Sequence, residues 1–100
     1  MKISVTENNE QTIISLDGML DSSTAPQFQE AVARQLEKSN LNLAVDLSEL
    51  SYTSSQGIRT FLTLIKTVAA RKGSLVFRNV QPSVREVFEM SGLLQAMKME

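Results

Sequence analysis

Apolar and polar positions along the chain change period several times, and each change predicts an element. Met1 to Thr6 alternates, with Ile3 and Val5 on one face, which predicts a first strand. Glu7-Asn8-Asn9-Glu10 reads as a turn, because Asn tolerates the left-handed conformation that tight turns need. Gln11 to Asp17 is a second strand, with Ile14 and Leu16 inward and Ile13 on the other face. So short a connection implies an antiparallel hairpin. Gly18 to Ser23 reads as a loop, and a helix follows from about Thr24. Thr24 and Gln27 have capping-box spacing, Pro26 lies in the first turn, and Phe28, Val32 and Leu36 form a seam. Ser39-Asn40 closes that helix.

Leu41 to Leu47 is apolar nearly throughout, as a central parallel strand is. A stretch crowded with hydroxyls follows: Ser48, Ser51, Thr53, Ser54 and Ser55, read here as a loop. From Ile58 the period becomes helical, with Ile58, Phe61, Leu62, Ile65, Val68 and Ala69 on one face. Arg71-Lys72-Gly73 reads as a C-terminal cap with Gly73 left-handed. Ser74 to Arg78 is a fourth strand, Asn79-Val80-Gln81 a turn, and Pro82 opens a third helix with Val84, Val87 and Phe88 inward. Gly92 stops it, and Leu93, Leu94, Ala96 and Met97 form a short apolar tail. Met90, Met97 and Met99 read as gap-filling core and tail.

The order is ββαβαβα. It predicts one α/β domain over residues 1–100, with a mixed sheet of about four strands: an N-terminal antiparallel hairpin, then parallel strands joined by right-handed crossovers. The hydroxyl-rich stretch then lies at the C-terminal edge of the sheet, where sites in open α/β sheets form. Its last serines meet a helix N-terminus, whose free N–H groups and dipole favour a phosphate, bound or attached.

Composition narrows the chemistry. The chain has 42% apolar and 21% charged residues, ordinary for a globular protein, and a net charge of −1, so no basic surplus points to nucleic acid. With one Tyr and no Trp it also lacks stacking platforms. There is no Cys and no His, which removes disulfides, thiol chemistry, thiolate or imidazole metal sites and His-based catalysis. Asp21 and Asp46 are the one carboxylate pair worth considering for an enzyme, and there is no Gly-rich phosphate loop. Neither a signal peptide nor an apolar run near the ~20 residues of a membrane span is present, so a cytosolic protein without metal or cofactor, and a monomer, is the expectation.

The run Asp46-Leu47-Ser48-x-Leu50-x-Tyr52-x-Ser54-Ser55-x-Gly57-Ile58-Arg59 resembles the signature of the STAS domain (sulfate transporter and anti-sigma factor antagonist), and most of all the stand-alone bacterial anti-sigma factor antagonists. Asp17-Gly18-x-Leu20-Asp21-x-x-x-Ala25 is similar to that family's loop before its first helix, and Ser91-Gly92-Leu93 to the ending of its last. In the family the run before the glycine is Asp-Ser-Ser. Matched on Gly57, its central phosphorylated serine falls at Ser55, its Asp at Ser54 and its second Ser at Gln56. The resemblance implies a binding protein, not an enzyme. Unphosphorylated, it would bind an anti-sigma factor that is also a serine kinase and so release a sigma factor. Phosphorylation at Ser55 would block binding, and a serine phosphatase would reverse it. Ser54 is a rival phosphosite. Partner contacts are expected at Asp21, Ser22, Ser23, Thr53, Ser54, Ser55, Gln56, Gly57 and Arg59. A helix cap formed by one of the two serines is the plainer role for them, and is compatible with modification. The alternative function is a non-switching STAS subunit docked on the ATPase of a membrane transporter.

Overall fold

The computed structural model describes residues 1–100. Its elements run β1 (Lys2–Asn8), β2 (Gln11–Leu20), α1 (Ala25–Leu36), β3 (Asn42–Thr53), α2 (Ser55–Ala70), β4 (Ser74–Arg78), α3 (Pro82–Met90) and a 3-10 turn, Leu93–Ala96. The strands form one sheet in the order β1-β2-β3-β4, with β1 antiparallel to β2 and the remaining pairs parallel. The expected α/β domain with a hairpin followed by parallel strands is the fold observed. None of its helices is long and apolar enough to cross a membrane.

The hairpin turn places both Asn9 (φ 52°) and Glu10 (φ 68°) in the left-handed region, as a two-residue turn matching strand twist requires. One face of the sheet carries the core. Ile14 and Leu16 of β2, Leu43, Val45 and Leu47 of β3 and Phe77 of β4 are buried there with Phe28 of α1, Phe61 and Leu64 of α2 and Phe88 of α3. Phe61 is the hub. Its ring centroid lies 5.0 Å from Phe28, 5.3 Å from Phe88 and 6.0 Å from Phe77, in tilted and edge-on arrangements that aromatic quadrupoles favour. One ring therefore ties three helices to β4.

The other face bears no helix. Ile13, Ala44 and Val76 form a row across it, and Ala44 is fully buried. Arg78 on β4 reaches Gln11 Oε1 on β2 at 2.9 Å and also pairs with Glu100, so its side chain crosses β3 and covers this row. Its aliphatic stem shields apolar surface while the guanidinium stays hydrogen-bonded.

Several local expectations change. Both β2 and β3 run further than predicted. Register shifts between Ser15 and Asp17, and again between Gly18 and Met19, insert extra residues in β3 opposite β2. The stretch read as a hydroxyl-rich loop is thus mostly bulged strand. Left-handed geometry before β4 falls on Lys72 (φ 57°), not on Gly73. Gly73 is required for space instead, since a Cβ there would lie 2.7 Å from Leu41 O. Arg71 donates to the carbonyls of Leu36 and Lys38, tying the end of α2 to that of α1. On α2 the buried residues are Gly57, Thr60, Phe61, Leu64 and Val68, while Ile58, Leu62 and Ile65 are half-buried and Ala69 is exposed. On α1, Gln35 is buried and Leu36 only partly so. Met97 and Met99 pack on the core as expected, but Met90 does not: it is 81% exposed.

Candidate functional site

Two chain segments leave the sheet side by side at its C-terminal edge. Leu20 ends β2 opposite Thr53 at the end of β3, and the Ser54 N–H donates to Leu20 O at 2.7 Å. Asp21 and Ser54 therefore begin neighbouring turns, as parallel pairing of β2 and β3 predicts.

The first turn is built around one carboxylate. Asp21 Oδ1 accepts from the Ser23 N–H (2.9 Å), the Ser23 hydroxyl (2.7 Å) and the Thr24 N–H (3.1 Å). The Ser23 hydroxyl first, then its N–H, with smaller help from Thr24, hold the Asp21 carboxyl below the usual range. This Asx-type turn leads the chain into α1. The capping box expected from Thr24 and Gln27 is absent. Thr24 Oγ1 instead donates to Met19 O at 2.8 Å and accepts from the Asp21 N–H at 2.9 Å. Ser22 and Ser23 are exposed.

The second turn separates the two candidate serines. Ser54 is the N-cap of α2, with extended backbone, and its hydroxyl accepts from the Gly57 N–H at 3.4 Å. Ser55 is the first residue of the helix and is exposed, and its hydroxyl makes no hydrogen bond within the chain. Capping therefore occupies Ser54 and leaves Ser55 free. Thr53 is buried and donates to Ser54 O at 3.2 Å. Gly57 faces inward. A Cβ there would meet Thr53 Oγ1 at 2.3 Å and Leu20 Cδ2 at 2.6 Å, so only glycine lets α2 sit this close to the strand ends. Gln56 is exposed and its carbonyl accepts from Thr60 Oγ1 at 3.3 Å. Arg59 is exposed, forms no ion pair, and lines a shallow groove with Val32 and Thr63 between α1 and α2.

Asp46 stands apart from this cluster. It lies opposite Ser15, well back along β3 from Thr53, so it does not converge with Asp21 and the two form no catalytic pair. Burial raises its carboxyl, but the Ser48 N–H (2.9 Å), Asn79 and the nearby Arg78 together outweigh that and lower it. It braces the start of the bulged stretch.

The sequence reading missed the apolar surroundings of Ser55. Met19 (52% exposed) and Tyr52 (44% exposed) are register partners at the same end of the sheet. Ser55 itself borders a shallow cleft formed with Ile58, Val87, Met90 and Ser91. Met90, 81% exposed, thus stands beside Ser55, whereas Met19 and Tyr52, next to the inward Leu20 and Thr53, lie on the helix-free face of the same sheet end. Met90 faces out because it lies across α3 from the buried Val84 and Phe88, and the helical spacing of those two residues is the signal that could have placed it.

Comparison with known proteins returns one family. A model of the STAS domain matches residues 2–100. BtrV of Bordetella bronchiseptica, named for anti-sigma factor antagonism, is 36% identical over 94 residues, covering 94% of this chain and 81% of its own. The anti-sigma-B factor antagonist of Listeria monocytogenes is 32% identical over 80 residues, covering 80% of this chain and 70% of its own. Among solved structures, the anti-sigma factor antagonist SpoIIAA of Bacillus superposes in its unphosphorylated form with a TM-score of 0.79 at 23% identity, covering 99% of this chain and 88% of its own. Its phosphorylated form gives 0.76. At that identity the likeness speaks for the fold alone.

Proposed function

The chain belongs to the STAS domain family, and we propose that it is an anti-sigma factor antagonist switched by phosphorylation of Ser55. Unmodified, it binds an anti-sigma factor that is also a serine kinase, and so frees a sigma factor in the cytoplasm. Modified, it is released from that partner until a serine phosphatase removes the phosphate. The protein is the substrate of this chemistry and performs none itself.

The observation that carries the reading is the division of labour between the two serines. The Ser54 hydroxyl is engaged as the helix cap, whereas the Ser55 hydroxyl is exposed and unbonded. A kinase needs a hydroxyl that can be approached without unravelling the helix, and Ser55 meets that need. A phosphoserine brings about −1.5 to −2 charges and strong acceptor oxygens. At the first helical position it sits in the favourable field of the α2 dipole, so the phosphoprotein stays folded.

Blockade follows from the surroundings. The turn of Asp21, Ser22 and Ser23 begins beside the turn that holds Ser54 and Ser55, with Gln56 and Arg59 along the helix. The cleft of Ile58, Val87 and Met90 borders Ser55 itself. A partner that covers this patch must desolvate Ser55, and a phosphate there resists desolvation. A cost of only ~3 kcal/mol weakens binding over a hundredfold.

Labelling by the partner kinase, captured from the source cells, tests the site. Wild type and Ser54→Ala should incorporate phosphate, with the modified peptide mapping to Ser55, and Ser55→Ala should not. Labelling of Ser55→Ala at the wild-type rate overturns the assignment.

A further inference from the structure

Strand β1 is an edge of the sheet, and its outer side is unpaired. The two-residue turn is closed by Asn8 opposite Gln11, a hydrogen-bonded pair in such hairpins. Pairs alternate along an antiparallel ladder, so Lys2, Ser4, Thr6 and Asn8 bond to β2, while Ile3, Val5 and Glu7 direct their N–H and C=O groups outward. Ile3 lies opposite Leu16 and Val5 opposite Ile14, which puts both side chains on the helix-bearing face. Val5 is nevertheless 42% exposed.

Beside them runs a groove whose far wall is α1. Gln27, Glu30, Ala31 and Arg34 line it at i, i+3, i+4 and i+7, one stripe of the helix. Gln35 also lines it. That residue is only 9% exposed, and its Oε1 is buried without any hydrogen-bond partner. Buried carbonyl oxygens are almost always paired, and an unpaired one is unfavourable. An open strand edge and a half-exposed valine thus converge on one groove, with Gln35 in its wall.

We propose that this groove is a self-association surface, in which two copies pair their β1 strands antiparallel about a two-fold axis and so join their sheets into one. The charges select a second copy as the occupant. Glu30 and Arg34 lie one turn apart on the groove stripe, paired with each other at 2.6 Å and largely exposed. A two-fold axis lays α1 antiparallel to its mate, so each Glu30 turns toward the Arg34 of the other copy, as a self-complementary patch must. Pairing centred on Ser4 sets Ile3 of each copy beside Val5 of the other, on the helix face. It seals the groove and lays the Gln27 and Arg34 stripe of the second α1 alongside the first. Glu7 does not oppose this, because its carboxylate is held by Lys38 at 2.8 Å. No groove residue belongs to the patch around Ser55, so association leaves the phosphorylation surface open and is independent of the proposed function.

Sedimentation of the full chain from low micromolar to millimolar concentration tests it. The weight-average mass should rise from one chain toward two. Val5→Lys should weaken association at least about tenfold. Glu30→Arg, which sets arginines against each other, should weaken it too, and Glu30→Arg combined with Arg34→Glu should restore it. A one-chain mass at every concentration overturns the proposal, as does a dimer indifferent to Val5→Lys and to the charge reversal.

Discussion

Gly57→Ala is the sharpest probe of how Ser55 is placed. The added Cβ would lie 2.3 Å from Thr53 Oγ1 and 2.6 and 2.8 Å from Leu20 Cδ2 and Cγ, against ordinary carbon contacts of about 3.5–4.0 Å. Neither neighbour can give way easily, since Leu20 is fully buried and Thr53 nearly so. Glycine is not needed here for its backbone freedom, because Gly57 lies in regular right-handed helix. Alanine even brings a helix-propensity gain of up to about 1 kcal/mol. Overpacking of a filled site costs about 1–3 kcal/mol or more, and three contacts below 3 Å put this site at the upper end. The net expectation is a loss of about 2 kcal/mol, near 10 °C in Tm for a domain of this size. Urea unfolding monitored by circular dichroism, with the slope m checked for constancy, reads it directly. A variant as stable as wild type, or more so, would refute the close seating of α2 on the ends of β2 and β3.

The remaining expectations concern the same edge of the sheet. Ser54→Ala should cost about 1 kcal/mol by removing the cap, and Ser55→Ala should stay within about 0.5 kcal/mol; equal losses in urea unfolding would contradict the assignment of the cap. The Asp21 carboxylate is held below its ordinary value, so its stabilisation is complete above the unfolded value of about 3.9 and is lost as pH falls through the lower folded value. Ser23→Ala should move the Asp21 carboxyl resonance titration upward in NMR, and an unmoved titration would show that the Ser23 hydroxyl is not its main partner. Met90→Lys should leave stability within about 0.5 kcal/mol, since the side chain is exposed, yet weaken capture of the partner; unchanged capture would remove the cleft beside Ser55 from the interface.

Legibility in the sequence followed the strength of the local period. The hairpin, the parallel strands and three helices were readable because Ile14, Leu16, Leu43, Val45, Phe61 and Phe88 recur at strand or helix spacing. The end of β3 was misread because Leu47, Leu50 and Thr53 are buried at every third position. Two register shifts against β2 produce that spacing, and a bulge is a property of the pair of strands, invisible in either alone. Gly73 and Lys72 exchanged roles for a similar reason: the space beside Leu41 belongs to tertiary packing. At the candidate site, the juxtaposition of Asp21 with the serine turn followed from topology. The choice between Ser54 and Ser55 did not, since adjacent hydroxyls are equivalent until the helix start is known to a single residue. The exposure of Met90 was legible from its place off the Val84 and Phe88 stripe, whereas that of Met19 and Tyr52 was not, because both lie in strand ends that read as loops.

The most direct test of the switch is calorimetric: the affinity of the unmodified protein and of its Ser55-phosphorylated form for the anti-sigma factor partner recovered from the source cells. Tight binding of the unmodified protein and binding at least about a hundredfold weaker after phosphorylation is the result the Ser55 switch predicts. Equal affinities for the two forms, as a non-switching subunit docked on a transporter ATPase would give, would contradict it.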